Sequence, residues 1–144
     1  MNTKQVLIWR DDLKVRTGKK MAQSAHAGLA WLTRRIQKIS EQQDHDPDYW
    51  HISNLCSEAE WKWINGSFAK VVLAVDNEND LLQIYKEAKE AGIITELIVD
   101  SGLTEFDGVP TATCVGIGPD YADKIDALTG KDSEWFKSGR LRLY

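Results

Sequence analysis

Cysteine is scarce in this chain. Cys56 and Cys114 are the two it has among 144 residues, too few for a disulfide framework, and no CxxC pair occurs to suggest a redox motif or a zinc site. Cys114 lies inside the apolar run TATCVGIG and reads as a small buried hydrophobe. A reduced, cytoplasmic setting follows. No apolar run approaches the length of a membrane span. The opening MNTKQVLIWR has no basic n-region, long h-region or cleavage site, so it is not read as a signal peptide. Internal repeats and low-complexity tracts are missing. So are several chemical signatures. RTGKK has leucine (Leu13) where a Walker A loop needs glycine, and Lys20 where it needs serine or threonine. GIGP lacks the third glycine of a dinucleotide fingerprint. No GxSxG elbow is present. DHDPDYWH offers Asp44, His45, Asp46, Asp48 and His51 without metal-ligand spacing, and reads as a solvated acidic loop.

What is present is an ordinary globular composition, 42% hydrophobic and 28% charged, in a length that suits one domain over residues 1–144 with a real core. Net charge is -4, but it is unevenly placed: residues 1–43 carry +6 and the remainder -10. Two readings stand open. The basic part forms a phosphate-attracting face on an acidic protein, or the charges are scattered over the surface.

KQVLIWR reads as a buried strand. From about Lys19 to Ser40 the pattern is helical, with Met21, Ala25, Leu29, Leu32 and Ile36 forming one apolar stripe. EAEWKWING predicts a short helix, FAKVVLAV a strand, and NENDLLQIYKEAKEAG a second long helix with polar residues at its start and Gly92 past its end. IITELIVD and TATCVGIG predict two more strands, DYADKIDALTG a short helix and RLRLY a small edge strand. Trp61 and Trp63 cannot share a helix face, so one of them is expected to be exposed. The β-α-β-α-β-β order predicts an α/β fold, a three-layer α/β/α sandwich with a small, mostly parallel mixed sheet.

Two features carry chemistry. On the first helix Lys19, Gln23 and His26 fall on one strip beside the apolar stripe. Lys19 also stands at the helix N-terminus, where free N–H groups and the dipole favour an anion. The bland alternative is a solvated lysine, a surface glutamine and a satisfied histidine. The second feature is Asp100, a carboxylate ending an apolar strand. It either caps the Ser101-Gly102 turn or faces a ligand beyond the carboxyl ends of the strands. If strands one and three run parallel, Lys19, Asp100 and Thr104 meet at one mouth, an arrangement suited to activating water and stabilising developing charge.

GKKMAQSAHA resembles the signature of type 2 peptidyl-tRNA hydrolases. KVVLAVDNENDLLQIYKEAKEAGI, ELIVDSGLTEF, TATCVGIGP, DKIDALTG and RLRLY resemble that family's later segments, in order. The resemblance implies hydrolysis of the ester joining a peptide to the terminal adenosine of tRNA, which recycles the tRNA. It implies Lys19, Gln23, Asp100 and Thr104 as catalytic residues, with His26 as a motif residue. Arg16, Gly18, Lys20, Arg34, Ser101 and Gly102 are added as substrate contacts. It further implies chemistry without metal or other cofactor, a homodimer, and peptidyl-tRNA as partner, with neither membrane nor DNA expected. The chain departs from the family in several places, among them an expanded KDSEWFKSG before the last strand and a less typical overall acidity. Glu105 replaces the usual glutamine, which is expected to repel tRNA phosphate and raise the pKa of Asp100. FDGVPTAT is about one residue longer than the common version and resembles a divergent bacterial or phage-like branch. The segment from about 34 to 60 is expanded. Two alternatives remain: a non-catalytic RNA- or protein-binding module on the same fold, or a hydrolase of another aminoacyl-tRNA ester.

Overall fold

A computed structural model describes residues 1–42 and 55–144. The acidic loop with Asp44, His45, Asp46, Asp48 and His51, and much of the expanded segment, lie outside the described residues. The elements run β1 (Thr3–Arg10), α1 (Thr17–Gln42), α2 (Glu58–Asn65), β2 (Lys70–Val75), α3 (Glu78–Glu90), β3 (Thr95–Asp100), β4 (Thr111–Tyr121), α4 (Ala122–Thr129), α5 (Glu134–Lys137) and β5 (Arg142–Leu143). Each strand and helix expected from the pattern is there. α5, inside the KDSEWFKSG stretch, is an addition; Ser133 caps it by accepting from the Phe136 N–H. No described helix is long and apolar enough to cross a membrane.

The sheet order is β3-β4-β1-β2-β5. β1 is parallel to β2, but β4 is antiparallel to both β1 and β3, and β5 is antiparallel to β2. The expectation of a mostly parallel sheet is therefore corrected. Its physical reason is the connection after β3. A loop over 101–110 is too short for a crossover and obliges β4 to turn back beside β3. Because β4 separates β1 from β3 and opposes both, β1, β2 and β3 still point the same way. Their carboxyl ends share one edge. Arg142 of β5 ties that edge, reaching Asp11 Oδ2 at 2.6 Å after β1 and Asp76 Oδ1 at 2.8 Å after β2.

Side-chain alternation along β1 divides the core into two layers. Val6 and Ile8 pack with Leu81, Ile84 and Ala88 of α3, Ile125 of α4 and Trp135 of α5. Leu7 and Trp9 pack on the other face with Ala27 and Ala30 of α1, Ile98 and Cys114. Burial drives the Cys114 thiol up to about 12, which makes it inert. α2 begins with a capping box, Ser57 and Glu60 satisfying each other's backbone N–H. Glu60 also takes a two-point grip from Arg35 of α1 at 2.6 and 2.9 Å. Trp31 of α1 meets Trp63 of α2 edge-on, ring centroids 6.2 Å apart. Trp63 is buried and Trp61 is exposed, as their spacing requires.

The face that α1 turns to the sheet is not the expected stripe. Met21 and Leu29 are 69% and 56% exposed, while Gln23, Ala27, Ala30 and Trp31 are buried. Small residues won because the helix backbone lies almost on β4: a Cβ on Gly116 would come within 2.2 Å of the Ala27 carbonyl oxygen. Leucines at that face would hold the helix off. Replacing Gly116 by alanine is expected to push α1 away from β4 and cost about 1–3 kcal/mol, measured by denaturant unfolding. An unchanged unfolding midpoint would show that the close approach is not needed.

Candidate functional site

Two segments converge at the shared carboxyl edge. The loop after β1 feeds α1, whose first two intrahelical bonds run from the Lys19 and Lys20 N–H groups to the Arg16 carbonyl at 3.0 and 3.2 Å. β3 arrives with a bulge between Ile98 and Val99 in its pairing with β4. Bulges of this kind re-aim neighbouring side chains. Val99 is turned out to solvent, while Asp100 is only 9% exposed and faces α1.

Asp100 is held by three donors. Oδ1 accepts from Lys19 Nζ at 2.7 Å and from Gln23 Nε2 at 3.2 Å. Oδ2 accepts from the Gly102 N–H at 2.9 Å. Oδ2 thus realises the turn-capping reading of Asp100, while Oδ1 faces the start of α1. Gly102 must be glycine: its φ is +82°, and a Cβ there would meet the Val109 carbonyl oxygen at 2.3 Å. Lys19 Nζ also donates to Thr104 Oγ1 at 3.0 Å. An ammonium cannot accept, so Thr104 keeps its own hydroxyl proton for another partner. Two of the three Lys19 donors are used and one is left.

Thr113 of β4 completes the cluster, and the sequence reading missed it. Its hydroxyl is fully buried and donates to Gln23 Oε1 at 2.8 Å. That bond fixes the Gln23 amide so that its NH₂ faces the carboxylate. A threonine in TATCVGIG reads simply as a strand former; the only hint was its hydroxyl in a mainly apolar run.

The remaining candidates fall at varying distances from this centre. Arg16 and Gly18 line an open cleft of about 410 Å³ with Lys19 and Ala22. Ser101 is exposed beside Asp100. His26 is exposed on α1, and its charge acts on Asp100 in the same sense as that of Lys19. Lys20 points elsewhere, hydrogen-bonded to the Tyr144 hydroxyl and 5.2 Å from the centre of that ring. Arg34 stands four turns on, about 22 Å along the helix from Lys19, paired with Glu96 and donating to the Leu97 carbonyl at 3.0 Å. The structure does not bring Arg34 to the cluster. Among the described residues no group of three or more His, Cys, Asp or Glu side chains is arranged to hold a metal ion.

Glu105 departs from expectation. It accepts from Arg16 Nε at 2.8 Å and sits over the start of α1 rather than against Asp100. The Asp100 carboxyl is lowered, not raised. The Lys19 hydrogen bond is the main cause, helped by the Gly102 N–H and opposed by burial. A carboxylate depressed on folding adds stability above its unfolded pKa of about 3.9, and that stability is lost as pH falls through the folded value. Lys19→Met removes the main cause, so Asp100 is expected to titrate at higher pH and acid unfolding to begin earlier. Carboxyl ¹³C NMR of the two proteins checks this; coincident titrations would mean that Lys19 does not set the charge of Asp100.

Residues 3–132 match the family model of the peptidyl-tRNA hydrolase PTH2. A peptidyl-tRNA hydrolase of Methanothermobacter thermautotrophicus is 38% identical over 128 residues, 88% of this chain and 95% of that protein. One from Sulfolobus acidocaldarius is 35% identical over 132 residues, 88% and 95% of the two chains. One from Methanopyrus kandleri is 34% identical over 127 residues, 88% and 93%. The match spans both segments that build the Lys19–Asp100 cluster, and the chain belongs to the peptidyl-tRNA hydrolase PTH2 family.

Proposed function

We propose that this chain, acting as one domain, hydrolyses the ester of peptidyl-tRNA at the cluster of Lys19, Gln23, Asp100 and Thr104. The observation that carries this reading is Lys19 Nζ, held 2.7 Å from Asp100 and 3.0 Å from Thr104 where a PTH2-family chain opens to solvent. Hydrolysis adds a water oxygen to the acyl carbon, breaks the bond from that carbon to the ribose oxygen, and returns a proton to the ribose. Asp100, with three donors already bound and its pKa lowered, is a weak base; its remaining acceptor site orients the water and takes its proton only as the new bond forms. The free N–H of Lys19 and the hydroxyl proton of Thr104 face the developing oxyanion. Gln23, fixed by Thr113, keeps the carboxylate from turning. An intact set of this kind argues for hydrolysis over binding alone.

Substrate contact is assigned to Arg16 and Gly18 in the cleft beside Lys19, to Ser101 and Gly102 next to Asp100, and to Lys20 and His26 on the flanks of α1. Arg34 would meet tRNA only far along the helix. Two unpaired cysteines and a tRNA substrate support a cytoplasmic setting. The decisive assay is release of an N-blocked amino acid from its tRNA. Asp100→Ala and Lys19→Ala are each expected to lower kcat at least about tenfold, roughly 1.4 kcal/mol of barrier. Wild-type protein that binds tRNA without turnover would favour the binding module, and preference for a different aminoacyl ester would redirect the substrate assignment.

A homodimer is part of the same proposal. The displaced stripe of α1 is its support: Ala25, Leu29 and Leu32, with Trp31, Trp63, Ile64 and Phe68, line an apolar groove of about 530 Å³. Faces of this kind on soluble chains mark contact sites, and a second copy is the occupant assigned here. Leu29→Glu is expected to yield a monomer in sedimentation velocity; a wild-type protein already monomeric at micromolar concentration would remove the dimer.

A further inference from the structure

We propose that Glu105 is a positioning and specificity residue: it clamps the tip that carries Thr104 onto the start of α1, and it withdraws the charge of Arg16 from substrate phosphate. This rests on the reading of Lys19 and Thr104 as part of the reacting site.

The loop between β3 and β4 is closed at its neck by a bond from the Gly108 N–H to the Gly102 carbonyl at 2.8 Å. Within the tip, the Val109 N–H reaches the Phe106 carbonyl at 2.8 Å. The neck fixes the loop's base but not the direction of the tip. Leu103 is 85% exposed and anchors nothing. Among the described residues, two hydrogen-bonded connections lead from the tip to the start of α1. One is Lys19 to Thr104, which belongs to the site itself. The other is Glu105, whose Oε1 accepts from Arg16 Nε at 2.8 Å and whose Oε2 accepts from the Arg16 backbone N–H at 3.3 Å. A carboxylate that grips both the side chain and the backbone of the residue whose carbonyl receives the first bonds of α1 fixes the tip to the helix itself. Thr104 is its immediate neighbour, so its distance from Lys19 follows.

The electrostatic consequence comes from the same contact. The Arg16 side chain is 84% exposed and Glu105 13%. The arginine borders the cleft beside Lys19, in reach of an incoming phosphate, yet it is already engaged by an internal anion. Phosphate contact at Arg16 is then an exchange of partners, not a simple addition.

The test is steady-state hydrolysis of N-blocked aminoacyl-tRNA across a salt series by wild type, Glu105→Ala, Glu105→Gln, Arg16→Ala and Thr104→Ala. Loss of the clamp in Glu105→Ala is expected to lower kcat at least about tenfold through misplacement of Thr104, and Arg16→Ala to lower it likewise. Glu105→Gln keeps an acceptor for Arg16 Nε without the charge. It is expected to recover most of the kcat lost in the alanine variant, to lower KM at low salt, and to steepen the salt slope of KM by about one. Wild-type kcat in Glu105→Ala beside an impaired Thr104→Ala would overturn the clamp and leave the site reading intact. Wild-type kcat in Thr104→Ala and Glu105→Ala alike would remove Thr104 from the site and the clamp with it. A glutamine variant with unchanged KM and salt slope would overturn the withdrawal of charge.

Discussion

Helix α1 lies against β4 at backbone distance, and the site depends on that contact. Ala27 rests over Gly116. One turn earlier in the helix, Gln23 meets the buried hydroxyl of Thr113. One turn earlier again, Lys19 meets Asp100 on β3. Residues 19, 23 and 27 form a single row with four-residue spacing, crossing from a polar mouth to an apolar anchor. Moving the anchor outward by the width of a methyl group would lengthen each polar contact in the row, and those contacts fade steeply with distance and angle. The small residues of the helix face therefore serve the chemistry as much as the packing.

This explains why the helix could be found in the sequence and its inner face could not. The 3.6-residue period located the helix, and Met21, Ala25, Leu29, Leu32 and Ile36 are on one side of it. Periodicity weighs hydrophobicity, however, and the sheet selected for volume: Ala27 and Ala30 fit where leucine would not. Strand order was likewise beyond reach of local pattern. β4 is buried along most of its length because both its faces are covered, and such a strand reads the same whether parallel or antiparallel. The length of the loop that precedes it decided the matter. Asp100 was legible because a charge ending an apolar strand demands a reason, and Lys19 because of its helix start. Thr104 and Gln23 gained their roles from family resemblance. Thr113 gave little signal, since threonine is at home in any strand.

Charge tells a related story. Residues 1–43 carry nine lysines and arginines, which as a sequence suggested either a basic face or scattered surface charge. Among the described residues, seven of them are drawn into ion pairs: Lys4, Arg10, Arg16, Lys19, Lys20, Arg34 and Arg35. Six of these seven have partners at or beyond residue 60: Glu60, Glu78, Glu96, Asp100, Glu105 and Asp126. The basic and acidic parts of the chain thus spend much of their opposition on each other. Segregation along the sequence became complementarity in the fold, with α1 as the positive member against β3, the loop after it and α2.

A protein with its cations already paired can still hold a polyanion, provided the pairs differ in how readily they open. Lys19 and Asp100 are 15% and 9% exposed and share further hydrogen bonds, so opening them would strand a buried charge. That pair is suited to persist through the reaction. Arg16 is 84% exposed and can trade a carboxylate for a phosphate with little loss of solvation. Burial therefore sorts the same kind of bond into two uses. On the proposed reading, the inner pair keeps the geometry of the reacting groups. On the same reading the outer pair is exchangeable, and its carboxylate sets how much positive charge the mouth shows before the substrate arrives.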